Sequence, residues 1–86
     1  MRSSKDRRRW RGDIDSVIEL VEPNPKQHGS KCYERYENYR NGMTVRQYIN
    51  AFAEYPRPSD AWIDLTWDEA RQYIRIHSPG TPITTP

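Results

Sequence analysis

Eighty-six residues, 34% of them apolar and 30% charged, leave room for one small domain at most, with a core of marginal size once the termini are set aside. No run approaches the length of a membrane span, and the single cysteine, Cys32, excludes an internal disulfide. The net charge of +2 hides an uneven distribution: residues 1–11 set six bases against Asp6, a net +5, whereas residues 12–86 set eight bases against eleven acids, a net −3. A cationic arm on a mildly anionic body is suited to holding a polyanion. No apolar run follows the N-terminal bases, so a soluble, cytoplasmic protein without a signal peptide is expected.

Residues 1–12 are predicted to form a basic flexible arm, 13–78 a single small helical domain, and 79–86 an extended Pro-rich tail. Within the domain, residues 13–22 place Ile14, Val17, Ile18 and Val21 at helical spacing, with Ser16 and Glu19 spaced as a capping box. A short helix is the first expectation there, and the β-branched run from Val17 to Val21 keeps a strand open. Pro23 and Pro25 end that element.

Ser30 is the expected N-cap of a helix to about Asn41, and Gly42 supplies the left-handed residue that closes it. Cys32, beside Tyr33, is expected as a small buried hydrophobe. Thr44 with Gln47 forms a second capping box, followed by Val45, Tyr48, Ile49, Phe52 and Tyr55 in a core-facing stripe. After the connector at residues 56–60, Thr66 and Glu69 repeat the spacing. They predict a last helix from about Trp67 to Ile76, with Trp67, Ala70 and Ile74 buried, stopped by Ser78-Pro79-Gly80. These signals together predict a mainly α fold, a small bundle of three or four short helices.

The candidate functional residues are cationic. In the arm, Arg7, Arg8, Arg9 and Arg11 offer forked contacts to phosphate or guanine edges, and Trp10 can stack on an exposed base or simply fold back on the body. In the body, Lys26, Lys31 and Arg35 are secondary contacts. The two helices around Gly42 suggest a helix-turn-helix-like pair whose second member presents Arg46, Gln47 and Asn50, residue types that read base edges; equally, any two packed helices joined by a Gly turn share that pattern. Lys26 and Lys31 flank one glycine, without the Gly-Lys-Thr or Gly-Lys-Ser of a phosphate loop. His28 and His77 lack Cys or His neighbours at metal-ligand spacing, and the acids at helix starts have an ordinary dipole role. No enzyme activity, metal, cofactor or small-molecule substrate is expected.

Asn24-Pro25-Lys26, Gly29-Ser30-Lys31, Tyr36, Tyr39-Arg40, Gly42-Met43-Thr44-Val45, Asp64-Leu65, Trp67-Asp68 and Ile74 form a series that resembles a pattern in small bacteriophage and bacterial proteins with no assigned activity. The resemblance implies a phage or mobile-element setting, with an infected bacterial host as the compartment, and assigns no site residues. The leading expectation is a nucleic-acid-binding protein acting on DNA or RNA. Its alternatives are a protein–protein module, such as an inhibitor of a host enzyme that seats its arm on an acidic surface and anchors through Tyr33, Tyr36, Tyr55 or Trp62, and a structural assembly component.

Overall fold

A computed structural model describes residues 10–83. The elements run β1 (Val17–Leu20), α1 (Lys31–Tyr36), α2 (Val45–Asn50), α3 (Asp60–Ala70) and β2 (Ile74–His77). The expected mainly helical bundle is therefore corrected: among the described residues, three helices pack with a two-stranded antiparallel sheet.

The correction falls on the chain's two ends. Val17, Ile18, Glu19 and Leu20 pair in register with His77, Ile76, Arg75 and Ile74. Ile18 turns its backbone to the other side, donating N–H to Met43 O at 2.7 Å and accepting from Gly42 N–H at 2.8 Å. Val45 and Arg46 N–H then reach Ser16 O and Ile14 O at 2.9 and 2.7 Å. With both edges occupied, β1 finds on neighbouring chain the backbone partners that a helix would have supplied internally, the Leu20 N–H reaching Asn41 Oδ1 at 2.8 Å, and the β-branched residues tip the balance. Ser16 is buried as part of this ladder, so its capping box with Glu19 does not form.

α1 begins as the sequence predicts: Ser30 Oγ accepts Tyr33 N–H at 3.1 Å. It stops at Tyr36, well before Asn41, where Asn38 Nδ2 donates to the carbonyls of Glu34 and Arg35 at 3.1 and 3.3 Å. α2 carries the complete Thr44/Gln47 capping box. It too is short, but turns with i to i+3 bonds at Phe52, Ala53 and Tyr55 prolong its path and keep Phe52 in the core.

α3 differs most from expectation. It starts at Asp60, and Thr66, the expected N-cap, lies inside it with Oγ1 donating to Trp62 O at 3.2 Å. Its end is a Schellman motif: Tyr73 N–H reaches Asp68 O and Gln72 N–H reaches Glu69 O, both at 3.0 Å, around Gln72 at φ 64°. That left-handed residue turns the chain into β2, so Ile74 is buried from a strand, not from a helix.

The core comprises Ile18, Tyr36, Tyr39, Val45, Tyr48, Phe52, Ala61, Leu65 and Ile74. Aromatic rings run through it in sequence: Tyr36 meets Tyr39 edge-on at 4.9 Å, Tyr39 stacks on Tyr48 at 4.2 Å, and Tyr48 meets Phe52 at 4.9 Å. Each such pair contributes about 0.5–1.5 kcal/mol beyond its burial, which compensates for the scarcity of aliphatic residues. Cys32 is exposed, not buried, and Trp67 and Ala70 face solvent instead of the core.

Candidate nucleic-acid interface

The expected cationic contacts divide according to what their charges meet. Lys26 turns inward. Its loop is shaped by Asn24, whose Oδ1 accepts Lys26 N–H at 3.0 Å while Nδ2 donates to Tyr33 O at 3.0 Å and Glu37 Oε2 at 2.8 Å. The Lys26 ammonium then lies 2.7 Å from Asp68 Oδ1 and 5.2 Å from the centre of the Tyr73 ring. Asp68, 1% exposed, accepts a second bond from Tyr39 O–H at 2.8 Å. Burial, reinforced by the surrounding charge, pushes the Tyr36 and Tyr39 hydroxyls far above the ordinary tyrosine range.

Arg35 is committed to the same helix. Its guanidinium pairs through Nε and Nη2 with the two carboxylate oxygens of Asp64, approaches Asp60 at 3.9 Å, and donates to Cys32 Sγ at 3.3 Å. Burial raises the Asp64 pKa above the ordinary carboxylate value, and the bond from Arg35 opposes that shift.

Arg46 forks onto Asp15 at 3.0 and 3.2 Å, a pair about half exposed on each side. Gln47 spends its side-chain oxygen on the Thr44 N–H at 2.9 Å. Asn50 is exposed at the end of α2, and residues 37–44 make a longer link than the three- or four-residue turn of a helix-turn-helix pair. Lys31 is exposed on the wall of a cleft of about 240 Å³ that also includes Tyr55 and Arg57. The structure thus scatters the predicted body contacts, and it takes Lys26 and Arg35 into internal ion pairs. Of the residues expected to anchor a protein partner, Tyr36 is in the core and Tyr33, Tyr55 and Trp62 are partly buried.

The arm is tied to the body at its inner end. Trp10 packs against the core cluster and its indole N–H donates to Glu69 Oε1 at 3.1 Å. Gly12 makes room for it, since a Cβ at that position would lie 2.2 Å from the ring. Arg11 is exposed, while Arg7, Arg8 and Arg9 lie outside the described residues.

On α3 the surface reverses an expectation, since the sequence predicts a buried Trp67. Ile63 and Trp67 are 40% and 51% exposed, the large apolar side chains left outside among the described residues. The Arg71 guanidinium lies over the Trp67 ring, 3.8 Å from its centre. The i, i+4, i+8 spacing places the three on the face of α3 away from Ala61, Leu65 and Asp68, and that spacing was the available signal.

Among the described residues no three His, Cys, Asp or Glu side chains gather as a metal site, and no helix is long and apolar enough to cross a membrane. The chain matches no family model, and no curated protein or solved structure is significantly similar to it.

Proposed function

We propose that this is a small non-enzymatic protein that binds nucleic acid, DNA or RNA, through its Arg-rich arm. The observation that carries the reading is the charge division: a net +5 over residues 1–11 against −3 over the remainder. Arg7, Arg8, Arg9 and Arg11 meet phosphates, and Trp10 acts as the mooring that fixes where the arm leaves the body. Binding of this type is driven by the release of condensed counterions and weakens steeply with salt. Lys31 and Asn50 are its secondary contacts, since Lys26, Arg35, Arg46 and Gln47 already serve partners within the chain. The resemblance to small phage and bacterial proteins adds a mobile-element setting to the reading.

The test is fluorescence anisotropy of labelled duplex DNA, single-stranded DNA and RNA across a salt series, comparing the full chain with an Arg7→Ala, Arg8→Ala, Arg9→Ala variant that retains Trp10. The expected result is binding whose salt slope flattens by up to about three units per decade in the variant. Absence of binding to all three polymers at low salt would overturn the proposal.

A further inference from the structure

We propose that Trp67, with Arg71 laid over it, is a base-stacking platform, so that the polymer recruited by the arm is single-stranded nucleic acid and not duplex. The inference rests on the nucleic-acid reading and specifies its ligand.

Exposing a tryptophan by half forfeits burial that a small core needs, and α3 does so while Ala61, a much smaller side chain, takes an inward position. Leaving the ring outside suits a surface partner with a flat face. Arg71 narrows its chemistry: a guanidinium stacked on an indole keeps its in-plane N–H donors at the edges, where a phosphate beside a stacked base can be met.

The acids of α3 ought to repel such a polymer, and internal ion pairs offset this at Asp60, Asp64 and Asp68. Asp68 is matched by Lys26, Asp64 and Asp60 by Arg35, and Glu69 accepts the Trp10 indole N–H. The inward turn of Lys26 and Arg35, which removes them as phosphate contacts, thereby offsets Asp68 and Asp64, while Glu69 keeps its charge on the other flank of the helix and Arg71 is the cation that lies on the ring. The arm arrives at the same end of the helix. Glu69, which holds Trp10, and Trp67 are about 3 Å apart along the helix axis, although they point to different flanks.

The choice of single strand follows from access. In a duplex both faces of each internal base are covered by its neighbours, whereas an unpaired base has a face to offer an aromatic ring.

The test uses the full chain with Trp67→Ala, Trp67→Phe and Arg71→Ala, each checked by circular dichroism for an unchanged fold. The probes are labelled oligo(dT) and a duplex of equal length. Trp67→Ala is expected to weaken oligo(dT) binding about five- to 150-fold, the worth of one base–aromatic stack, with duplex binding unchanged. Trp67→Phe retains most of the affinity, and Arg71→Ala gives an intermediate loss. Oligo(dT) affinity that is indifferent to Trp67, in a chain that still needs Arg7, Arg8 and Arg9 to bind, would overturn the platform and leave the nucleic-acid reading intact. Failure of the unaltered chain to bind oligo(dT), the duplex or an RNA of equal length at low salt would remove both.

Discussion

The Lys26 ammonium and the Asp68 carboxylate meet at 2.7 Å across 42 positions of sequence, with the Asp68 side chain 2% exposed. The pair joins the loop after β1 to the last turns of α3. Removing one partner strands the other's charge in a largely desolvated place. Asp68→Ala is therefore expected to destabilise the fold by about 3–5 kcal/mol, enough to unfold a marginal domain at room temperature. Lys26→Ala should cost less, because Tyr39 O–H still serves Asp68. Urea titration followed by circular dichroism measures both. A Lys26 variant of unchanged stability and a flattened salt slope in DNA binding would show that Lys26 meets phosphate and not Asp68.

Thr44 is expected to act through α2 alone. Thr44→Ala leaves the Gln47 N–H without its 3.1 Å acceptor and should cost about 1 kcal/mol. Gln47→Ala removes the reciprocal bond to the Thr44 N–H and should lower stability without weakening nucleic-acid affinity. Paired melting and anisotropy measurements separate the two effects.

Gly12→Ala places a methyl group 2.2 Å from the Trp10 ring, so the indole has to leave its seat. The expected outcome is loss of the bond to Glu69 and a destabilisation of about 1–3 kcal/mol. Tryptophan emission should shift to the red as Trp10 becomes hydrated. An unaltered spectrum and melting temperature would show that the ring does not sit there.

Gln72 occupies the left-handed position after α3 at φ 64°, where a side chain is strained. Gln72→Gly should stabilise the protein by about 0.5–1 kcal/mol, the relief of strain exceeding the added entropy of the unfolded chain. A stability loss in thermal melts would contradict the Schellman geometry.

Two aspartates respond to acid in opposite senses. The bond from Arg46 is the largest influence on Asp15 and lowers its pKa below 3.8, so the stability it contributes is present above that value and is lost as pH falls through the lowered one. Asp64 is raised above 3.8, chiefly by burial. Its native form holds a proton more tightly than the unfolded chain, so its contribution declines as pH rises from 3.8 through the raised value. Carboxyl-carbon NMR titration should show Asp64 titrating above Asp15, and the reverse order would contradict both placements.

Local chemistry was readable from the sequence where the partner was close at hand. Ser30 and Thr44 with Gln47 perform the capping roles their neighbours imply, whereas Gly42, left-handed at φ 91° as expected, closes a turn and not α1, which has already ended at Tyr36. Val17 to Leu20 could not be resolved because their partners are residues 42–46 and 74–77, and no local pattern reports which distant backbone will present itself. The Thr66 and Glu69 spacing misled for a related reason: i to i+3 bonds at Asp60, Ala61 and Trp62 start α3 earlier, without any side-chain cap. Gln72 hid the end of that helix, since a left-handed residue is read from glycine. At the candidate interface the charge division was plain, yet sequence records charge and not its counterpart. Arg35 looked available until Asp64, 29 positions away, was seen to hold it.

The pairing of β1 with β2 also bears on how the chain reaches its fold. Leu20 lies opposite Ile74, so the sheet closes only after the intervening chain has been looped back on itself. Each short helix can sample its turns early, but none is long enough to persist alone. The entropic penalty of that long closure is met before the strand contacts repay it, so the rate-limiting event should be the meeting of the two strands. Slow, concerted appearance of the native signal would then be governed by Ile18 and Ile74, with the helix caps influencing mainly the rate of unfolding.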